Sequence, residues 1–258
     1  MTDVVTIVVA YPLCTPAQGD EGNALALTYR LRVRGVASRV LVVDEGPLPH
    51  ADVVLVGGLD ESGLPRLADL LDTGGLTERV ADGAVVLGVN AGYVVLGRDF
   101  EDADGTTHPG LDLLDVSFRH GPEQTGPVVA ECLLPDVPTL SAYWSHRAMA
   151  VHGPTNRPLA RCTVPAHGGT EGSVAGRVVG TFLHGPVLAR NPLLADTILG
   201  WVTGAPLSAA SEGWAGLVRR QRIGEDAKDP SGWGGLVYSR PSLRRVLTSR
   251  RYRIGSRR

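Results

Sequence analysis

Cysteine is scarce in this chain of 258 residues: Cys14, Cys132 and Cys162 lie far apart, with no CxxC and no His/Cys cluster. That excludes a disulfide framework and a structural zinc site and fits a reducing cytosol. No apolar run approaches the roughly 18 residues that span a bilayer. The first residues also lack the basic and apolar regions of a signal peptide. A cytoplasmic protein that does not enter membranes is therefore expected. Neither GxxxxGK[ST] nor GxGxxG occurs, so no autonomous nucleotide site and no cofactor are expected in this chain. Lysine is almost absent, Lys228 against 24 arginines, a bias of the kind a GC-rich genome produces.

What is present is the bulk composition of a globular protein, 43% hydrophobic and 20% charged, enough to bury a real core. The net charge of -2 conceals an asymmetry. Residues 219–258 carry twelve Arg and Lys against three Asp and Glu, whereas residues 1–218 carry thirteen against twenty-four. A basic extension on an acidic body can meet an acidic partner, nucleic acid or its own body, or simply be solvated. Trp214, Trp233 and Tyr238 among its arginines form no recognisable RNA-binding motif, so nucleic acid is not the expected partner. The division expected is a domain over 1–207 and a basic C-terminal extension over 208–258.

Residues 4–10 form a continuous β-branched apolar run, the pattern of a strand buried on both faces. Residues 40–43, Val53–Val56 and Val85–Val89 repeat it. Helical patterns follow at 23–33, closed by Gly35, and at 64–71. The last of these strands runs straight into Asn90-Ala91-Gly92-Tyr93-Val94-Val95-Leu96-Gly97, a sharp turn into a helix. Alternating strands and helices predict an α/β fold with a doubly wound, mainly parallel sheet. Ligands bind such sheets beyond the carboxyl ends of the strands, where Cys14, Gly57-Gly58 and Asn90 fall. From 110 to 180 the pattern changes to short segments punctuated by Gly and Pro, such as 126–133 and 138–144, which predicts added antiparallel strands. A strand over 178–183 ends at His184, and 192–202 is again helical.

The elbow at 88–97, the pair Gly57-Gly58 and Gly180-Thr181-Phe182-Leu183-His184-Gly185-Pro186 resemble, in order and spacing, the class I glutamine amidotransferases of flavodoxin-like fold. The likeness is to the cobyric acid synthase type, and nearer still to the amidotransferase subunit of lipid II isoglutaminyl synthase. It covers about residues 4–204 and also rests on Gly22-Asn23, Gly110-Leu111-Asp112-Leu113-Leu114 and Asn191-Pro192. In that family a cysteine stands at the elbow, in a pattern like Gly-Ile-Cys-Gly-Gly-Tyr-Gln, and gains acidity from the helix N-terminus and a paired histidine. The matching residues here are Gly88-Val89-Asn90-Ala91-Gly92-Tyr93-Val94. Asn90 has no nucleophilic atom, because its amide nitrogen is delocalised, so the resemblance implies that no glutamyl thioester forms there. Val94 stands where the family's glutamine-holding Gln would be, and Ser145-His146-Arg147-Ala148-Met149 offers no clear match to a glutamine-recognising Arg. Two altered positions in addition to the lost cysteine indicate natural degeneration rather than one engineered change.

The resemblance makes His184 the family histidine, a general base and acid; alternatively it hydrogen-bonds Asn90 and caps the pocket. The carboxylate found two residues later in many class I triads is Pro186 here. Gly57 and Gly58 match the oxyanion loop, although a Gly-Gly pair after a buried strand is also a common turn. Ala91, Gly92 and Tyr93 complete the expected pocket. Cys14 is either a relocated nucleophile or an inert loop residue, and Cys132 and Cys162 read as core. Asp20, Glu21, His146, His152 and His167 lack ligand spacing and read as scattered surface residues, so no metal site is expected. The resemblance implies a degenerate amidotransferase-like partner subunit of a Mur-ligase-like enzyme, with ATP and Mg held by the partner. The alternative is a repurposed enzyme whose His184 pocket takes another small molecule, in specialised biosynthesis.

Overall fold

The computed structural model describes residues 4–14, 20–58, 61–162, 169–208, 210 and 223. Almost all of the basic extension expected over 208–258, and His167, lie outside the described residues. The elements in chain order are β1 (Val5–Ala10), α1 (Asp20–Arg32), β2 (Ser38–Val43), β3 (Val53–Val56), α2 (Leu64–Thr73), α3 (Leu76–Ala81), β4 (Val85–Val89), α4 (Ala91–Leu96) and β5 (Asp99–Glu101). They continue with β6 (Thr107–Pro109), β7 (Val116–Cys132), β8 (Thr139–His152), β9 (Ala160–Cys162), β10 (Thr170–Glu171), β11 (Ser173–Ala175), β12 (Val178–Thr181), α5 (Val187–Arg190) and α6 (Pro192–Thr203).

One sheet runs β11-β12-β4-β3-β1-β2. Its last five strands are parallel and β11 is an antiparallel addition to β12. Every residue of β1, β3, β4 and β12 is buried, which explains why their sequences are unbroken apolar runs rather than alternating ones. Exposed side chains occur only at its two ends, on β2 and at Ala175 of β11. The parallel direction brings the ends of β1, β3, β4 and β12 to one edge, and with them Cys14, Gly57-Gly58, Asn90 and His184.

The other antiparallel segments do not extend this sheet. They form a second one, β10-β9-β7-β5-β6 with β8 on β7. The short segments expected at 126–133 and 138–144 belong to one long hairpin, paired from Val116 with His152 to Glu131 with Thr139. Gly121 and Pro122 fall where the register shifts between His120 and Gln124, a place where the ladder tolerates a residue without an N–H. The first helix also begins earlier than its apolar periodicity, because Asn23 sits inside it and its Oδ1 accepts the Leu188 N–H at 2.9 Å.

Two devices join the sheets. Tyr93, Phe118 and Phe182 meet edge to face with centroids 4.8 to 5.8 Å apart. Beside them the carboxylate of Glu171, 2% exposed, accepts Trp144 Nε1 at 3.1 Å, Thr181 Oγ1 at 2.5 Å and the Phe182 N–H at 3.0 Å. The clasp therefore ties β8 and β10 to the end of β12, just before His184.

Candidate functional site

The junction of β4 and α4 is a strained elbow. Asn90 is 4% exposed and holds φ 50°, ψ -108°, a conformation that costs a residue with a Cβ about 1–3 kcal/mol and persists only where its surroundings impose it. They do: the Asn90 N–H donates to the Thr181 carbonyl at 2.9 Å, and the Asn90 carbonyl accepts the Val94 N–H at 3.0 Å. Gly92 lets α4 settle on β3, since a Cβ there would overlap the Val56 carbonyl.

The Gly57-Gly58 loop reaches the elbow, but with a carbonyl. The Ala91 N–H, the donor nearest to a reacting group at position 90, is bonded to the Gly58 oxygen at 3.1 Å. In this arrangement it is not offered to a developing negative charge, which is what an oxyanion hole requires.

His184 follows β12 and is fixed through its backbone, whose N–H donates to the Tyr143 carbonyl at 3.1 Å. Its ring stands perpendicular to that of Tyr143, 5.8 Å away between centroids. Burial, and then the charge of Arg190, hold its pKa below the ordinary histidine value, so the ring is neutral near pH 7. The proposed hydrogen bond to Asn90 is not made: neither the Asn90 amide nor either ring nitrogen of His184 has a hydrogen-bond partner among the described residues. Orphaned buried groups of this kind cost about 1–3 kcal/mol each.

Above Asn90 lies a cleft lined by Glu61, Leu64, Asn90, Ala91, Val94, Ser145, His146, Ala148 and Phe182, with a volume of about 20 Å³. That is room for one water, whereas small-molecule sites run to roughly 300–1,000 Å³. The cleft is narrow because His146 stacks flat on Phe182, centroids 3.8 Å apart. Glu61 also ties its rim to the hairpin, accepting the Arg147 N–H at 3.1 Å and facing His120 Nε2 at 3.8 Å.

Several expected site residues lie elsewhere. Tyr93 is no pocket wall: its ring is fully buried between the sheets and its hydroxyl pairs with Ser173 Oγ at 2.6 Å. Gly92 faces β3 rather than the cleft. His146, expected at the surface, is buried. The Cys14 thiol is half-buried and raised in pKa, chiefly by burial, the opposite of an activated nucleophile. Cys132 and Cys162 are core residues, and burial pushes the Cys162 thiol up to about 12. Among the described residues no group of three His, Cys, Asp or Glu could hold a metal ion. Likewise, no described helix is long and apolar enough to cross a membrane. Glu61 was not singled out from sequence, and Ser145 and Phe182 were named only as parts of longer segments, because nothing local marks residues that meet only through the fold.

The residues from 11 to 192, the elbow, the glycine loop and His184 among them, match the model of the CobB/CobQ-like glutamine amidotransferase domain. The chain belongs to that family. It is 35% identical over 169 residues to a cobyric acid synthase of Methylobacterium nodulans, a match that covers 60% of this chain and 33% of that protein. It is 26% identical over 191 residues to the lipid II isoglutaminyl synthase (glutamine-hydrolyzing) subunit GatD of Staphylococcus aureus, covering 70% of this chain and 76% of that protein. The chain thus spans about a third of the cobyric acid synthase and most of the subunit. A solved glutamine amidotransferase structure superposes with a TM-score of 0.51 at 18% identity, covering 76% of this chain and 98% of that one, which establishes a shared class I fold. Within this CobB/CobQ-like domain, then, the elbow holds an asparagine and the adjoining cleft is almost closed.

Proposed function

We propose that this chain is a degenerate CobB/CobQ-like amidotransferase domain, with Asn90 in the place of the nucleophilic cysteine. In this reading it acts as a non-hydrolytic partner subunit of a Mur-ligase-like, ATP-dependent amide-forming enzyme. The observation that carries the proposal is the elbow itself: a residue without a nucleophilic atom, beneath a cleft of about 20 Å³, beside an Ala91 N–H already bonded to Gly58. Each of these removes a separate requirement for glutamine hydrolysis, respectively the covalent step, the substrate's space and the stabilisation of its oxyanion. The likeness to a protein named as a subunit, most of whose length this chain covers, supports the partner role. ATP and Mg would be held by that partner, and the amide nitrogen would arrive as free ammonia or another amine.

The test pairs the chain with a Mur-ligase-like protein. Co-elution at one-to-one stoichiometry is expected, with amide formation that needs ATP, Mg and added ammonia and does not respond to glutamine. Separate elution, and ligase activity indifferent to the chain, would contradict the subunit role. A second reading, supported by the unpartnered Asn90 amide and His184 ring, is a binding site for another small polar molecule, with His184 as acid or base. It requires the cleft to widen, and a ligand-dependent shift of the His184 ring resonances would favour it.

A further inference from the structure

We infer that α1 carries a self-complementary surface through which two copies of this chain associate about a two-fold axis. Helix α1 has two faces. Leu27 and Leu31 are fully buried, while Leu25 is 67% exposed and Tyr29 49%, and Val33, just past the last turn, is 47% exposed. Residues four apart lie above one another on a helix, so these three form one continuous apolar stripe rather than scattered side chains. The neighbouring β2 ends the parallel sheet and exposes Val40 and Val42. An open strand edge beside an apolar helix face is a surface that lone proteins commonly cover or charge.

The charges at the two ends of the stripe indicate what covers it. Glu21, exposed, lies one turn before Leu25, and Arg32, exposed, lies just after Tyr29 with its guanidinium 5.7 Å from the Tyr29 ring centroid. Neither has an ion-pair partner among the described residues. When a second α1 is laid antiparallel across the first, a register centred on Leu27 sets Leu25 against Tyr29 of the copy. The same register sets Glu21 level with Val33 of the copy, one residue from Arg32 and within reach of that long side chain, and both contacts then occur twice. A two-fold interface needs a patch complementary to itself, and acidic end, apolar centre and basic end in one stripe satisfy that condition. A partner with a different surface would need no such internal match. The surface is separate from the cleft at Asn90, so the inference does not depend on the functional reading.

Sedimentation velocity of the full chain across a concentration series tests it. A monomer–dimer equilibrium is expected. Tyr29→Glu should raise the dissociation constant by at least about tenfold, since it places a charge at the apolar centre. Glu21→Arg and Arg32→Glu should each weaken association by about tenfold, and the double charge swap should bring it back to within about threefold of the unmodified chain. Far-UV circular dichroism, unchanged in all four, separates these effects from misfolding. A chain that stays monomeric throughout, a dimer indifferent to Tyr29→Glu, or a double swap no better than the singles would overturn the inference.

Discussion

Gly92→Ala should lower the stability of the domain by about 3 kcal/mol, read as a shift in the midpoint of urea unfolding at constant slope. The sign is the informative part. Alanine in place of glycine within a helix is ordinarily worth about 1 kcal/mol in its favour. At this position a Cβ would overlap the carbonyl oxygen and carbon of Val56, backbone atoms at the end of β3 that a rotamer change cannot remove. Helix α4 would have to lift from the sheet, carrying with it the Ala91 N–H and its bond to Gly58. A neutral or stabilising substitution would show that α4 is not seated on β3 as described, and the closed geometry of the elbow would lose its support.

Glu171→Gln should flatten the dependence of stability on pH between about 4.5 and 7. Burial raises the Glu171 carboxyl from 4.5 to about 7, outweighing the donors of Thr181, Phe182 and Trp144 that favour its charged form. Between those values the folded chain holds a proton that the unfolded chain has released. The contribution of this group to stability therefore falls as pH rises through the window and is level above it, by up to about 3 kcal/mol. The difference between the unmodified chain and the variant, followed by chemical unfolding across pH 4 to 9, isolates this contribution from those of His152 and His184. Both histidines titrate in the opposite sense, because burial lowers them. The amide of the variant would also set an N–H against Trp144 Nε1, so the variant should be the less stable protein at the acid end. Parallel curves would mean that Glu171 is not buried in the clasp between the sheets.

The parallel sheet was legible in the sequence for a physical reason. Strands buried on both faces read as unbroken apolar runs, and β1, β3, β4 and β12 all do. The elbow was legible because Asn90 follows β4 without an intervening residue, and His184 because it follows β12 so closely. The long hairpin was not, since the Gly and Pro between His120 and Gln124 look like a turn until the ladder is seen to continue past them. Tyr93 was misplaced because its neighbours in the chain lie at the cleft while its own ring, on the helix's inner face, reaches Ser173 and the aromatic cluster. Glu171 and Glu61 could not have been chosen from among 27 acidic residues, because what distinguishes them is donors contributed by distant segments.

In the function proposed above, the elbow has lost glutamine hydrolysis through more than one change. Ammonia release from glutamine by the unmodified chain and by Asn90→Cys, measured side by side, distinguishes one change from several. No hydrolysis above background is expected from the unmodified chain, and none from Asn90→Cys either. A thiol restored at position 90 would still face a cleft of about 20 Å³ and an Ala91 N–H committed to Gly58. Glutamine turnover by the unmodified chain would contradict the claim outright, and turnover by Asn90→Cys alone would reduce the loss to a single residue.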